Sequence, residues 1–569
     1  MMKIQPFLIL PLAALMVSAC GGDDSDGSRD DAGASTSIAA ASGNNPLFDR
    51  IDAGTFMIGA NLAPAPEEVI EHIWQSTEMM AELNESSYEE ASDSVEDASP
   101  ALAALFDELA TIDDRESLEA LGVHSNGYWA VHMISVYPVA HLELADQAAF
   151  EAMLERVEAR SDTPLPRRQV GGEEVLWIAD GGLGVALHHD AQFLTVALIP
   201  DDAVLLRRIA NLDQPTQAFE AEQLASFNQD QGFVPHGSGF VDLQGLIGQL
   251  MDRDDALSAT ARERMGFDAL AEDPACQSEM SAVTRIFPRI TAGLSALNLE
   301  ALDMKMVLET EQEMAARLTP IADTPVGLTQ GATRTVSGGL AFDPVAARDF
   351  GRELVSAWIA SPPECAAFAP IAAGASDWQR ALNQPIPPVV TNIRGFRVNI
   401  DEVMMAENGQ VEDAAGTVAL FVRNPEMLLG MAQMFSPELA GMGIEPNGEP
   451  KPVPDGLIPN ISDIAAFLAL SDEAIGLSVG DGQQERLPEA LTAYEPDGAI
   501  FAYTIDFDGY SKLSESMMSR FGAMEGMPTD ELPSVDVMAQ FAEMYDTSSL
   551  AIKLTDNGIE IESKLSMTP

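Results

Sequence analysis

Residues able to do chemistry are few in this chain, and their spacing does not suit catalysis. The seven histidines, His72, His124, His132, His141, His188, His189 and His236, form no HExxH pair. None stands at metal-ligand spacing with a third acid, so no metal centre is predicted. His188-His189 falls at a predicted hairpin tip, where neighbours point to opposite faces and one is expected in solvent. A serine nucleophile needs a strand-to-helix GxSxG elbow, and the nearest string, His236-Gly237-Ser238-Gly239, leads into a strand instead. Gly171-Gly172, Gly181-Gly182 and Gly338-Gly339 lack the GK[ST] or GxGxxG context that cradles phosphate. Asp506-Phe507-Asp508-Gly509 opens like a calcium loop but has none of its later ligands. The expectation is a protein with no catalytic residues, metal or cofactor. An envelope hydrolase stays as an alternative, because 90 acidic residues ensure that some carboxylates pair in any fold.

Sulfur carries the remaining signals. Of three cysteines, Cys276 and Cys365 each follow a proline by two residues and each precedes a helical stretch. In an oxidising compartment such a pair forms a disulfide, worth about 4 to 5 kcal/mol of unfolded-state entropy for a loop of this length; two buried free thiols are the other reading. Methionine is abundant, with 27 residues and clusters at Met517-Met518 and at Met524 and Met527. Met427, Met431 and Met434 share one helical face. Such a stripe is either core or an adaptable apolar groove for a partner helix or lipid. Cuprous copper would also suit thioether sulfur, but no histidines gather nearby.

Five strand and helix patterns recur in the same order along the chain, which predicts an internal repeat. Thr55–Pro64 matches Thr335–Pro344. Val139–Leu144 with its following helix matches Val418–Arg423 and a helix to Phe435. The hairpin Leu183–Ile199 matches Ile464–Val479, each followed by a helix. Val241–Leu246 matches Ile505–Tyr510, and Ala301–Met306 matches Gly558–Ser563. The fold class read from this is α+β: two tandem related lobes, residues 47–325 and 326–569, each an antiparallel sheet with packed helices. Alternation such as Leu302-Asp303-Met304-Lys305-Met306 predicts one buried sheet face, the other being wet or covered by the partner lobe. The Ser- and Glu-rich stretch Glu85–Ser99 is predicted to be a solvated insertion.

Composition sets the surroundings. Ninety acidic residues against 30 basic ones give a formal net charge of -60, which rules out nucleic acid as a partner and points to a salt-rich, halophilic or marine habitat. At the N-terminus Lys3 precedes an apolar run, Phe7 to Ala19, that is too short for a permanent membrane helix. Residues 20–46 are small, polar and acidic, the composition of a disordered tether. Val17-Ser18-Ala19-Cys20 resembles the lipobox of bacterial lipoproteins. That resemblance implies a signal peptide over 1–19, palmitate-type acylation at Cys20, and anchoring to the outer membrane, since Gly21 rather than aspartate follows the cysteine. The resulting expectation is an envelope-facing binding or assembly lipoprotein. Its partners would be the membrane, through the lipid, and an envelope protein or hydrophobic ligand. A carrier for acyl chains is an alternative that a closed apolar cavity would favour.

Overall fold

The structure is a computed structural model describing residues 45–79, 88, 92, 99–180, 182–330, 334–405, 411–454, 457, 464–521 and 542–568. Cys20, the tether up to residue 44, Met524 and Met527 lie outside the described residues, as do the side chains of Met517 and Met518. The chain mixes helix with antiparallel sheet and divides into two compact units, the first ending at Met304 and the second beginning at Lys305.

In the first unit the elements run β1 (Met57–Ala60), α1 (Glu67–Met79), α2 (Pro100–Leu109), α3 (Arg115–Ala120), β2 (Trp129–Ile134), β3 (Tyr137–Glu143), α4 (Gln147–Ser161), β4 (Arg167–Val170), β5 (Glu173–Asp180), β6 (Leu183–His189) and β7 (Phe193–Ile199). There follow α5 (Ala203–Ile209), α6 (Ala221–Gln231), β8 (Ser238–Asp242), α7 (Leu243–Met251), α8 (Ala259–Met265), α9 (Phe267–Glu272), α10 (Pro274–Ile286), β9 (Arg289–Leu297) and β10 (Ala301–Glu309), within which the unit boundary falls. The strands pair antiparallel in the order β4-β5-β6-β7-β3-β2-β1-β8-β9.

Helix starts in this unit are set by aspartates. Asp146, Asp202 and Asp242 accept backbone N–H bonds at the first turns of α4, α5 and α7, satisfying donors that a helix cannot satisfy itself. Helices of the unit cover both faces of its sheet. On one face, Phe150, Met153, Leu154 and Val157 of α4 pack with Leu187 and Leu194. On the other, Val139, Ala186 and Ala197 meet Leu205, Leu206 and Ile209 of α5. A short turn of 3-10 helix, Pro46–Arg50, adds Leu47 and Phe48 over Ile58 and Ala130. The expectation that one face would stay wet or be left to a partner lobe therefore fails here, because this unit supplies two helical layers of its own. Tyr88, Ser92 and Ser99, the described residues of the predicted solvated insertion, are buried as well.

The second unit contains α11 (Gln312–Ala322), β11 (Val336–Ala341), α12 (Pro344–Ala360), α13 (Ala369–Leu382), α14 (Pro388–Asn392), β12 (Ile393–Met405), β13 (Val411–Val422), α15 (Pro425–Phe435) and α16 (Pro437–Gly441). After these come β14 (Lys451–Pro452), β15 (Ala466–Leu470), β16 (Ala474–Val479), α17 (Leu487–Ala490), β17 (Ala499–Asp506), α18 (Phe507–Phe521), β18 (Tyr545–Thr555) and β19 (Gly558–Met567). Its strands pair antiparallel in the order β14-β15-β16-β13-β12-β11-β17-β18-β19. One sheet face packs Ala341, Ala419, Phe421 and Ala474 beneath Leu487 and Leu491, while Leu340 and Val418 are exposed on their strands. Helix α11 packs on β18 of this unit, so the boundary read from sequence, after residue 325, falls one helix later than the division of the structure. Cys276 and Cys365 are both buried and both disulfide-bonded.

Candidate functional site

Between the sheet of the first unit and its helices α1, α2 and α4 lies an apolar cavity of about 310 Å³. Strand periodicity builds its floor. Trp129 and Val131 on β2 and Ala140 and Leu142 on β3 point into it, whereas Ala130, His132 and His141 point to the opposite face and are buried. Helices supply the roof. In α1, Ile70, Ile73 and Trp74 recur at helical spacing, and Leu102, Leu105 and Phe106 do the same in α2. Volume and lining fall at the small end of the range for ligand pockets, ~300 to 1,000 Å³ with mostly apolar walls and a few placed polar groups.

Those polar groups gather at one end, where the β1–α1 connection meets the loop from α3 to β2. Two asparagines stitch these segments together. The Asn126 side chain both donates to the Ala65 carbonyl and accepts from the Ala65 N–H, each at 2.9 Å. Asn61 accepts from the Trp129 N–H at 3.0 Å and donates to the Gly127 carbonyl at 3.0 Å. Beneath this loop, Glu143 Oε2 accepts the Tyr128 N–H at 2.7 Å. His124, Ser125 and His236 complete the polar rim. Just outside, Arg115 pairs with Glu67 at 2.5 Å, Glu119 at 3.4 Å and Glu71 at 3.6 Å. The hydrogen bond from Arg115 holds the Glu67 carboxyl below the usual carboxylate range.

Gly122 lets the loop begin. Its φ of +85° follows α3, and a Cβ there would stand 2.4 Å from the Asp146 carbonyl oxygen and 2.5 Å from the Phe150 nitrogen. Gly122→Val is therefore expected to lower stability by about 2 to 5 kcal/mol, combining left-handed strain with a clash against backbone that cannot move aside. A urea midpoint unchanged from the parent would contradict this.

Among the described residues, no serine at the site is bonded to a histidine. Ser125 Oγ donates to Glu119 at 2.5 Å and accepts from Arg115 at 2.8 Å, so its bonds go to a surface ion-pair network and not to a histidine. Ser238, in the HGSG string, donates to Asn228 at 2.6 Å in the core. Asp506 proves to be a cap: its side chain accepts the Gly509 N–H at 2.7 Å at the start of α18. No group of three metal-ligating side chains occurs among the described residues.

The histidines that burial perturbs most lie on the other sheet face. His132 Nε2 is 3.1 Å from His141 Nε2, the rings stack 5.2 Å apart, and His141 Nδ1 meets Thr195 Oγ1 at 3.0 Å. Burial pushes His132 down to about 4 and His141 well below the usual imidazole range. His188 and His189 also depart from expectation. His188 is buried, with Nδ1 at the Glu174 carbonyl, and His189 is half-buried edge-on to Phe150, because the turn starts only at Asp190 and both faces are covered up to it.

The methionine stripe is not part of the cavity. On α15 the residues turned inward are Pro425 and Leu429, whereas Met427 is 37% and Met434 74% exposed, and Met431 is intermediate. Its reading as core is thus corrected: the sequence spacing defines a face but not which way that face turns. A smaller polar recess of the second unit holds Arg334, Arg397, Asp401, Gln483, Arg486 and Glu489. Arg486 pairs with Asp401 and Arg334 with Glu489, Arg397 donates to the Ala490 and Thr492 carbonyls, and at about 20 Å³ the recess holds little more than a water. Among the described residues no helix is long and apolar enough to cross a membrane. Comparison with protein-family models, curated proteins and solved structures returned no match.

Proposed function

We propose that this protein binds a single apolar chain inside its first unit, as a carrier or holder of hydrophobic ligands, and that acyl groups on Cys20 keep it at the outer membrane. The observation that carries the reading is the apolar cavity of about 310 Å³ with its polar groups confined to one end. An amphiphile matches that division: methylenes gain ~0.8 kcal/mol each on leaving water, and a head group stays at the rim. A hydrolase is less well supported, since Ser125 is engaged by Glu119 and Arg115. The address rests on the Cys20 motif, and the acidic surface disfavours direct adhesion to anionic headgroups.

A tandem duplication of the two units is part of the same proposal. Support comes from connectivity: β1, β2, β3, β7 and β8 pair as β11, β12, β13, β16 and β17 do. Loop bonds repeat as well. Asp242 N–H donates to the Phe56 carbonyl as Asp506 N–H does to that of Thr335, and Leu144 N–H donates to Gln192 as Val422 N–H does to Glu473. These equivalences align Phe56 with Thr335 and Leu144 with Val422, one residue away from the sequence match. For a strand, that shift exchanges the faces. Ala140 of the cavity floor thereby corresponds to exposed Val418.

Displacement of the neutral dye Nile red by 1-tetradecanol tests the binding reading. Saturable 1:1 displacement with a dissociation constant of about a micromolar or tighter is expected; no displacement would end the proposal. Metabolic palmitate labelling tests the anchor, and a Cys20→Ser variant labelled as strongly as its parent would refute it.

A further inference from the structure

Resting on the binding reading above, we infer that the cavity takes long-chain amphiphiles with an uncharged head, of the fatty alcohol or fatty ester class, and that Glu143 is the residue that turns free fatty acids away. Among the described residues that line the cavity, Glu143 is the only acidic one, and no lysine or arginine accompanies it. Its carboxylate is fixed at the polar end, held by the Tyr128 N–H at 2.7 Å. Gly127 permits this placement, because a Cβ there would stand 2.7 Å from Glu143 Cβ and 3.0 Å from Oε2. A ligand carboxylate at the same end would meet a like charge across a poorly screened gap.

The cation bonded to the rim, Arg115 through Ser125 Oγ at 2.8 Å, does not compensate. Arg115 is outside the wall and is already shared among Glu67, Glu71 and Glu119. Acids thus outnumber bases around the mouth, under a field set by a net charge of -60. An alcohol or ester head has what the rim can use instead. Ser125 and Asn126 are held by Glu119, Arg115 and Ala65, so the head group meets the Glu143 carboxylate and the imidazoles of His124 and His236, whose Nδ1 atoms bond the Asn126 N–H and the Ala63 carbonyl; these orient an uncharged head without a counter-ion. The other titratable rim groups are His124, His236 and Tyr128.

The test is Nile red displacement on the full-length protein at pH 8.5, where free imidazole is neutral, with three ligands sharing one chain: 1-tetradecanol, methyl tetradecanoate and sodium tetradecanoate. The parent protein is expected to prefer the alcohol and the ester over the carboxylate by about tenfold or more. Glu143→Gln retains an oxygen for the Tyr128 N–H, and it should shrink the alcohol-to-carboxylate ratio by about tenfold. Equal affinities for the three ligands in the parent protein, or a ratio unmoved by Glu143→Gln, would overturn the inference while leaving the binding reading intact. Should none of the three displace the dye, both fall. The comparison of ligands on the parent protein decides the question even if the variant does not fold.

Discussion

Replacing Ala140 with tryptophan is expected to weaken 1-tetradecanol binding about a thousandfold without unfolding the protein. Ala140 lies on β3 between Val131 of β2 and Val196 of β7, and all three line the cavity. An indole occupies the space of about five methylenes, and at ~0.8 kcal/mol each their exclusion amounts to about 4 kcal/mol, or roughly three decades in affinity. The rest of the site is untouched, since Ala140 makes no side-chain hydrogen bond and the added ring enters space instead of displacing neighbours. Ala140→Val should cost only about tenfold by the same count, so affinity should fall in step with side-chain volume. A series in which binding is indifferent to the size of residue 140 would mean that the ligand sits elsewhere.

Steric filling discriminates here because the cavity was hidden from sequence, and the reason is physical. Val131, Ala140 and Leu142 have the alternation of an ordinary half-buried strand, and Ile70, Ile73 and Trp74 the spacing of an ordinary buried helix face. Whether two such surfaces touch or stand apart depends on where the connecting loops hold them, and no local pattern encodes that distance. A weak signal did exist at the mouth: Asn126-Gly127 is a turn dipeptide, and Asn126 proved to be the clasp on Ala65.

Local chemistry was more legible than orientation. The first aspartate of the Asp-Phe-Asp-Gly string caps a helix, as Asp242 does at the start of α7. Orientation failed twice. Of the two readings of the Met427, Met431 and Met434 face, core is overturned because the face turns outward, and His188-His189 was placed at a hairpin tip that begins one residue later. Each error concerns what lies across from a residue, a relation between segments distant in sequence. The duplication we propose differs from the sequence match by one residue in two strands, because apolar residues on both faces of a covered sheet leave period-two registration ambiguous.

Acid should destabilise the first unit through the His132–His141 pair before the carboxylates titrate. Burial lowers His132 from an ordinary 6.5 to about 4 and lowers His141 in the same direction. In that interval the unfolded chain binds protons that the folded chain refuses, so stability rises with pH. The contribution is complete above about pH 6.5 and is lost as pH falls to about 4; for His132 alone it amounts to about 3 kcal/mol. Relief of repulsion among the acidic residues works in the opposite sense, but ordinary carboxylates take up protons mainly below about pH 5. Urea midpoints compared at pH 7 and pH 5 therefore isolate the histidines. His132→Phe combined with His141→Phe keeps two stacked rings and removes both titrating groups. Between these pH values the parent should lose about 2 kcal/mol through His132, with a further loss through His141, and the double variant little of either. Parallel losses in the two proteins would show that the buried imidazoles are not the source of acid sensitivity.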